Sequence, residues 1–162
     1  MEREEPRPGV RGHQHVYVIA TALGARGKIA AATIGRARNA GMHDQHWWNS
    51  LLATIDGKHA HDFAQFLTQD GEFRFGNQPS VHGRDNVEAY VAAFFDMIGS
   101  SRHSLERTWR DGDTRVCEGR VTYTRLDGSQ LTVPFANVFY LRGDEIARYL
   151  IFIDNGALFA PG

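Results

Sequence analysis

The chain has 162 residues, 42% of them hydrophobic and 23% charged, with a formal net charge of −1. That length and balance fit one globular domain with a core of its own rather than a disordered chain. The near-zero charge argues against nucleic acid as a partner, because phosphate binding needs a concentrated excess of Lys and Arg.

No apolar run approaches the roughly 20 residues that cross a bilayer, so no membrane partner is expected. The nearest run is Val16 to Leu23. Glu2, Glu4 and Glu5 spoil the basic leading region that a signal peptide needs. There is one cysteine, Cys117, so no intrachain disulfide can form. A reducing, cytoplasmic compartment fits. Cys117 lies in a strand-like run and reads as a small packed residue rather than a nucleophile.

In chain order, residues 1–43 carry Arg3, Arg7, Arg11, Arg26, Lys28, Arg36 and Arg38 against only Glu2, Glu4 and Glu5. With Pro6, Pro8 and scattered glycines, they read as a disordered leader or extension before a domain over 44–162. A second reading is a basic amphipathic segment, Lys28 to Ala40, that touches a membrane or partner. From Asp44 the pattern becomes regular. Trp47, Trp48, Leu51, Leu52 and Ile55 recur at helical spacing until Asp56-Gly57. A short second helix should carry Phe63, Phe66 and Leu67 and end at Asp70-Gly71. Phe73 and Phe75 alternate with Glu72 and Arg74, as in a strand. Gly76 to Gly83 reads as a loop. Asp85 to Ile98 is the clearest helix, with Asp85 as its expected cap and a stripe of Val87, Tyr90, Val91, Phe94 and Ile98.

The remainder reads as strands near 102–110, 114–125, 130–141 and 146–153. Asp111-Gly112-Asp113, Asp127-Gly128 and Arg142-Gly143-Asp144 are turn sequences between them. These connections are too short for parallel crossovers, so successive strands should be antiparallel. Pro134 removes a ladder donor and marks an edge or a bulge. Helices followed by a meander of long strands form an α+β pattern.

Four stretches in this order carry a family resemblance over roughly residues 44 to 159. They are Asp70-Gly71-Glu72-Phe73-Arg74-Phe75, His82-Gly83-Arg84-Asp85, Val133-Pro134-Phe135-Ala136-Asn137-Val138-Phe139, and Gly143-Asp144-Glu145-Ile146 with Tyr149 and Phe152-Ile153-Asp154. The chain resembles the nuclear-transport-factor-2-like superfamily, and more closely its SnoaL-like branch. The resemblance implies a cone-shaped, curved antiparallel sheet packed on three N-terminal helices, with a pocket inside. The superfamily includes ketosteroid isomerases, limonene-epoxide hydrolases, scytalone dehydratases, polyketide cyclases and transport factors, so fold alone does not supply function. Against the isomerases, the base position falls on Phe75 and the oxyanion donor near Pro134, neither of which can do that work. Against the epoxide hydrolases, Arg120 matches the arginine and Asp154 the closing aspartate. Thr122 replaces the other aspartate, and Phe73 and Phe75 replace the Tyr and Asn that hold the water.

Strand alternation places Arg120 and Thr122 on one face, with Glu118 and Thr124, and Arg148, Leu150, Phe152 and Asp154 on one face of the last strand. If both faces look inward, Asp154, Arg120 and Thr122 form a catalytic set. Phe73, Phe75, Tyr90, Phe94, Glu118, Val138, Arg148 and Phe152 then line the substrate site. A one-residue slip would turn Arg120 and Thr122 outward. Asp154 also reads as a turn-former beside Asn155-Gly156, or an ion-pair partner of Arg120 or Arg148. His59-x-His61 and His43-x-x-His46 have metal-like spacing without a third ligand and read as solvated helix-start residues. His103 opens a strand and could reach a pocket mouth. No Gly-x-Ser-x-Gly elbow, phosphate-cradling loop or Cys-x-x-Cys pair is present. The expectation is a small cofactor-free enzyme that acts on a hydrophobic small molecule by acid–base chemistry, of isomerase, dehydratase, cyclase or hydrolase type. The alternative is a non-catalytic binding module, or an interaction domain that forms a homodimer through the outer face of its sheet.

Overall fold

The computed structural model describes residues 44–160. The leader expected over 1–43 lies outside them. Helix α1 covers residues 44–56. It is followed by α2 (Ala60–Ala64), β1 (Leu67–Phe75), β2 (Val81–His82), α3 (Arg84–Asp96), β3 (Ser100–Asp111), β4 (Thr114–Thr124), β5 (Gln130–Arg142), β6 (Glu145–Ile153) and a final 3-10 turn (Gly156–Leu158). The α+β expectation holds: three helices pack on one six-stranded sheet of order β2-β1-β6-β5-β4-β3. The meander β3 to β6 is antiparallel throughout.

One pair departs from the antiparallel expectation. β1 runs parallel to β6, with Phe73 opposite Tyr149 and Phe75 opposite Ile151. A parallel partner needs a long excursion between the strands, and residues 76–144 supply it. The same pairing shortens α2. Ile146 donates its N–H to the Phe66 carbonyl at 2.7 Å, so the chain joins the sheet at Leu67 rather than continuing as helix. Asp70-Gly71 therefore lies inside β1, where the register with β6 shifts between Leu67 and Glu72. Gly83, not Asp85, is the N-cap of α3; its φ of 86° suits glycine, and no side chain caps that end. Arg84 Nε donates to the Leu67 carbonyl at 2.8 Å and its Nη2 pairs with Glu145 at 2.6 Å, tying the start of α3 to β1 and β6. Pro134 sits where β5 has β4 on one side only, because the last β5–β6 pair is Phe135 with Ile153. Its missing N–H costs the ladder nothing there.

The core lies between the helices and the concave face of the sheet. Trp48 and Leu51 of α1, Phe63 of α2, and Val87, Val91 and Phe95 of α3 pack there against Cys117, Val121, Phe139 and Tyr149. On β4 burial alternates strictly, with Arg115, Cys117, Gly119, Val121 and Tyr123 buried. Turning that strand over would bury Glu118 and Arg120 and expose Val121 and Tyr123. Each large apolar side chain would lose about 1.5–3 kcal/mol, and each unpaired buried charge would cost several kcal/mol more. The register is decided by that difference. At the far end Trp47 stacks edge-on to Phe139, and the Arg115 guanidinium lies 4.1 Å from the centre of its ring.

Candidate active site

The sheet curves around a cavity lined mostly by rings. Phe63 comes from α2, Phe73 and Phe75 from β1, Tyr90 and Phe94 from α3, and Tyr123, Phe135 and Tyr149 from the sheet. The free volume inside it is about 40 Å³, so the rings stand close together. Phe73 meets Phe63 and Tyr149 edge to face, at 5.9 and 5.4 Å between centres. That is the packing preferred by aromatic quadrupoles. Burial pushes the Tyr90, Tyr123 and Tyr149 hydroxyls up in pKa, so they stay protonated.

Among the described residues three polar side chains face this cavity apart from the tyrosines: Ser101, His103 and Asn137. Ser101 and His103 alternate onto the inner face of β3. Asp56, the last residue of α1, reaches them. His103 Nδ1 lies 2.6 Å from Asp56 Oδ1, the His103 backbone N–H donates to Oδ2 at 2.9 Å, and Ser101 Oγ donates to Oδ1 at 3.1 Å. Burial alone would raise the pKa of Asp56. The hydrogen bonds and charge of His103, with the Ser101 hydroxyl, outweigh it, and the carboxyl is held below the ordinary aspartate range. An ionised carboxylate only accepts, so the proton between them sits on Nδ1, and Nε2 is the ring nitrogen left without a partner among the described residues. The His103 side chain is 11% exposed and its ring stands edge-on to Phe135 at 5.4 Å. Deeper in the cavity, Asn137 Nδ2 donates to the Tyr149 hydroxyl at 3.0 Å.

The residues expected from sequence divide between the two faces of the sheet. Phe73, Phe75, Tyr90 and Phe94 line the cavity. Arg120, Thr122, Glu118, Val138, Arg148 and Phe152 lie on the outer face. Thr122 shares a hydrogen bond of 2.8 Å with Thr132, Arg148 pairs with Glu72 at 2.8 Å, and Glu118 lies 3.7 Å from Arg107. Arg120 stands opposite Pro134 and is exposed. Both strands are therefore turned by one residue from the inward assignment, because the apolar set of each takes the core side. Asp154 is exposed at the rim of the mouth, where Phe75, Tyr90, Phe94, Met97 and Phe159 form a groove. Its Oδ1 accepts the Gly156 N–H at 3.2 Å, which makes it a turn-former. Asp154, Arg120 and Thr122 do not meet. Of the helix-start histidines, His61 lies 3.1 Å from Glu88 and His59 lies 3.8 Å from Asp62. Among the described residues no three His, Cys, Asp or Glu side chains cluster as a metal site.

Sequence reasoning read Asp56 only as a helix stop. The available signal was parity: Ser101 and His103 alternate on one face of a strand with Leu105, so one inward apolar residue marks two inward polar ones. Asn137 could have been found in the same way from Phe135 and Phe139.

Solved structures with this fold are numerous. A protein of ketosteroid isomerase-like fold from Catenulispora acidiphila, in complex with trimethylamine, is 18% identical with a TM-score of 0.61, over 65% of this chain and 83% of that one. An NTF2-like protein from Burkholderia pseudomallei is 15% identical with a TM-score of 0.64, over 70% and 92%. A limonene-epoxide-hydrolase-like enzyme of M. tuberculosis is 11% identical with a TM-score of 0.60, over 70% and 84%. At such identities the likeness is one of fold. No curated protein sequence matches the chain. The family model for the SnoaL-like domain matches residues 48–149, from the first helix to the middle of β6. On that match, and with the fold of its structural neighbours, this chain belongs to the SnoaL-like family.

Proposed function

We propose that the protein is a cofactor-free acid–base enzyme for a small hydrophobic molecule, with the His103–Asp56 pair as its proton-transfer group. The observation that carries this reading is the 2.6 Å contact between His103 Nδ1 and Asp56 Oδ1, with the same imidazole forming part of an aromatic cavity wall. Asp56 fixes the tautomer and orientation of the ring and stabilises the imidazolium. Nε2 then takes a proton from a C–H or O–H of the bound molecule. The imidazolium returns that proton to another carbon in an isomerisation, or to a departing hydroxyl in a dehydration. The rings exclude water, which strengthens the ion pair formed during the transfer. His103, rather than Asp154, is the group to which the acid–base role is assigned.

The test is turnover on a panel of isomerase, dehydratase, cyclase and epoxide substrates, followed by His103→Gln. The variant should lose roughly 10²- to 10⁴-fold, the usual contribution of one general acid–base group. A merely structural clasp between α1 and β3 predicts instead that a folded His103→Gln keeps its rate.

A second reading concerns the outer face. Trp109, Val116, Val138 and Leu150 stand in register across β3, β4, β5 and β6, forming one apolar row. Trp109 and the neighbouring Phe152 are 48% and 49% exposed. Such a row suits a second copy of this chain, whose matching row would bury it. Light-scattering mass should double with concentration, and Phe152→Glu should hold the protein monomeric. A monomer at all concentrations removes this reading and leaves the first intact.

A further inference from the structure

The proton-transfer reading uses one wall of the cavity and leaves a second polar group idle. Asn137 is 2% exposed and lines the cavity, yet its Oδ1 is buried with no hydrogen-bond partner among the described residues. Its Nδ2 is satisfied by the Tyr149 hydroxyl at 3.0 Å. Tyr149 is 1% exposed, and no second hydrogen bond joins its hydroxyl among the described residues. The neighbours of Asn137 across the strands are Cys117 and Ile151, which offer no strong donor. One acceptor and one O–H donor therefore stand side by side in an otherwise apolar wall. Buried polar groups of native proteins are overwhelmingly paired, so a lone acceptor in a cavity wall points to a ligand donor.

We infer that Asn137 and Tyr149 anchor a hydroxyl of the ligand, so that the cavity selects an extended aromatic phenol or enol. The Tyr149 O–H donates to the ligand oxygen, and the ligand O–H donates to Asn137 Oδ1. A hydroxyl supplies both the acceptor and the donor, as a water or a protonated carboxyl does. An ether or ketone satisfies Tyr149 and leaves Asn137 unpaired; a hydrocarbon satisfies neither. Among the described residues no Lys or Arg lines the cavity, so the neutral phenol is favoured over the phenolate.

The sheet also bounds the length of the ligand. His103 is level with Val133 through Val121, and Asn137 is four residues further along β5. At about 3.4 Å per residue and about 4.8 Å per strand, the two backbones lie about 17 Å apart along the sheet. Measured along the concave sheet, this is the upper limit on the gap that a molecule touching both Asn137 and His103 must span.

This inference rests on the cavity reading above but not on the chemistry of His103. The experiment is isothermal titration of the full chain with 2-naphthol, 2-methoxynaphthalene and naphthalene. Wild type should bind 2-naphthol at least about tenfold tighter than the other two, since a site built for a hydroxyl rejects analogues that lack it. Asn137→Leu, nearly the same shape, should bring the three within about threefold of one another. Tyr149→Phe keeps the ring and removes only the hydroxyl, and should narrow the gap as well. Arg120→Ala, on the outer face, should keep the full preference, and loss of turnover in His103→Gln and loss of the preference in Asn137→Leu are separate readouts. Equal binding of naphthol and its methyl ether by wild type, or a preference that survives both anchor variants, overturns the assignment.

Discussion

Gly119 on β4 lies against the carbonyl of Ser104 on β3, in space that any side chain would occupy. A Cβ placed there would clash with the Ser104 oxygen and come within 3.1 Å of Leu105 Cα. The contact sits at the β3 irregularity between Leu105 and Arg107, where two residues are passed for one on β4. Bulges bend strands, and this one helps turn the face that carries Ser101 and His103 toward the helices.

Gly119→Ala is therefore expected to cost roughly 1–3 kcal/mol, the usual range for forcing an extra carbon into packed backbone. Urea denaturation checks it. A midpoint unchanged from wild type would show that the close approach is not needed.

Asp56 links stability to pH. Its folded pKa lies below its unfolded one. Its contribution is therefore fully present above the ordinary aspartate pKa and is lost as pH falls through the folded value. Asp56→Asn should cost roughly 1–2 kcal/mol near pH 7, in the range for hydrogen bonds to a charged group. The gap between the two proteins should begin to narrow below about pH 4 and go on narrowing as pH falls through the lower, folded value. Denaturant melts at pH 7 and pH 3 measure both arms, and a gap that widens in acid contradicts the assignment.

Cys117 is fully buried and its thiol is pushed up to about 12 by desolvation. The thiolate is the reactive species. The native protein should resist an aromatic disulfide reagent at pH 8 and react once denatured. Prompt stoichiometric labelling of the folded chain would show that the thiol is reached from the cavity.

Arg120 and Thr122 offer a control for the face assignment. Both lie on the outer face of β4, away from the cavity. Arg120→Ala and Thr122→Val should change stability by less than about 0.5 kcal/mol, as surface substitutions do, and leave ligand binding unchanged. A large loss of binding in either would return them to the site.

Local signals in the chain were enough to define its elements. Period-two alternation, the Gly-containing turns and the helical stripe of Val87, Tyr90, Val91 and Phe94 place β3 to β6 and α3 within a few residues of their observed bounds. The order of those elements carries the α+β fold, and the four motif stretches carry the SnoaL-like family. Four aromatic residues of the cavity were legible for the same reason: Phe73, Phe75, Tyr90 and Phe94 sit on the apolar side of their own elements.

The polar half of the site was not legible, because it depends on which side of each strand meets the helices. Alternation groups Arg120 with Thr122 and Val121 with Tyr123 equally well. Only the packing of α1, α2 and α3 against the sheet decides which pair is buried, and apolar burial decides it for Val121 and Tyr123. The same packing brings Asp56 to His103 across 47 positions of chain and the Asn137 amide to the Tyr149 hydroxyl. A local pattern fixes a residue's parity within its own strand, but contacts between distant segments follow from how the helices close over the sheet.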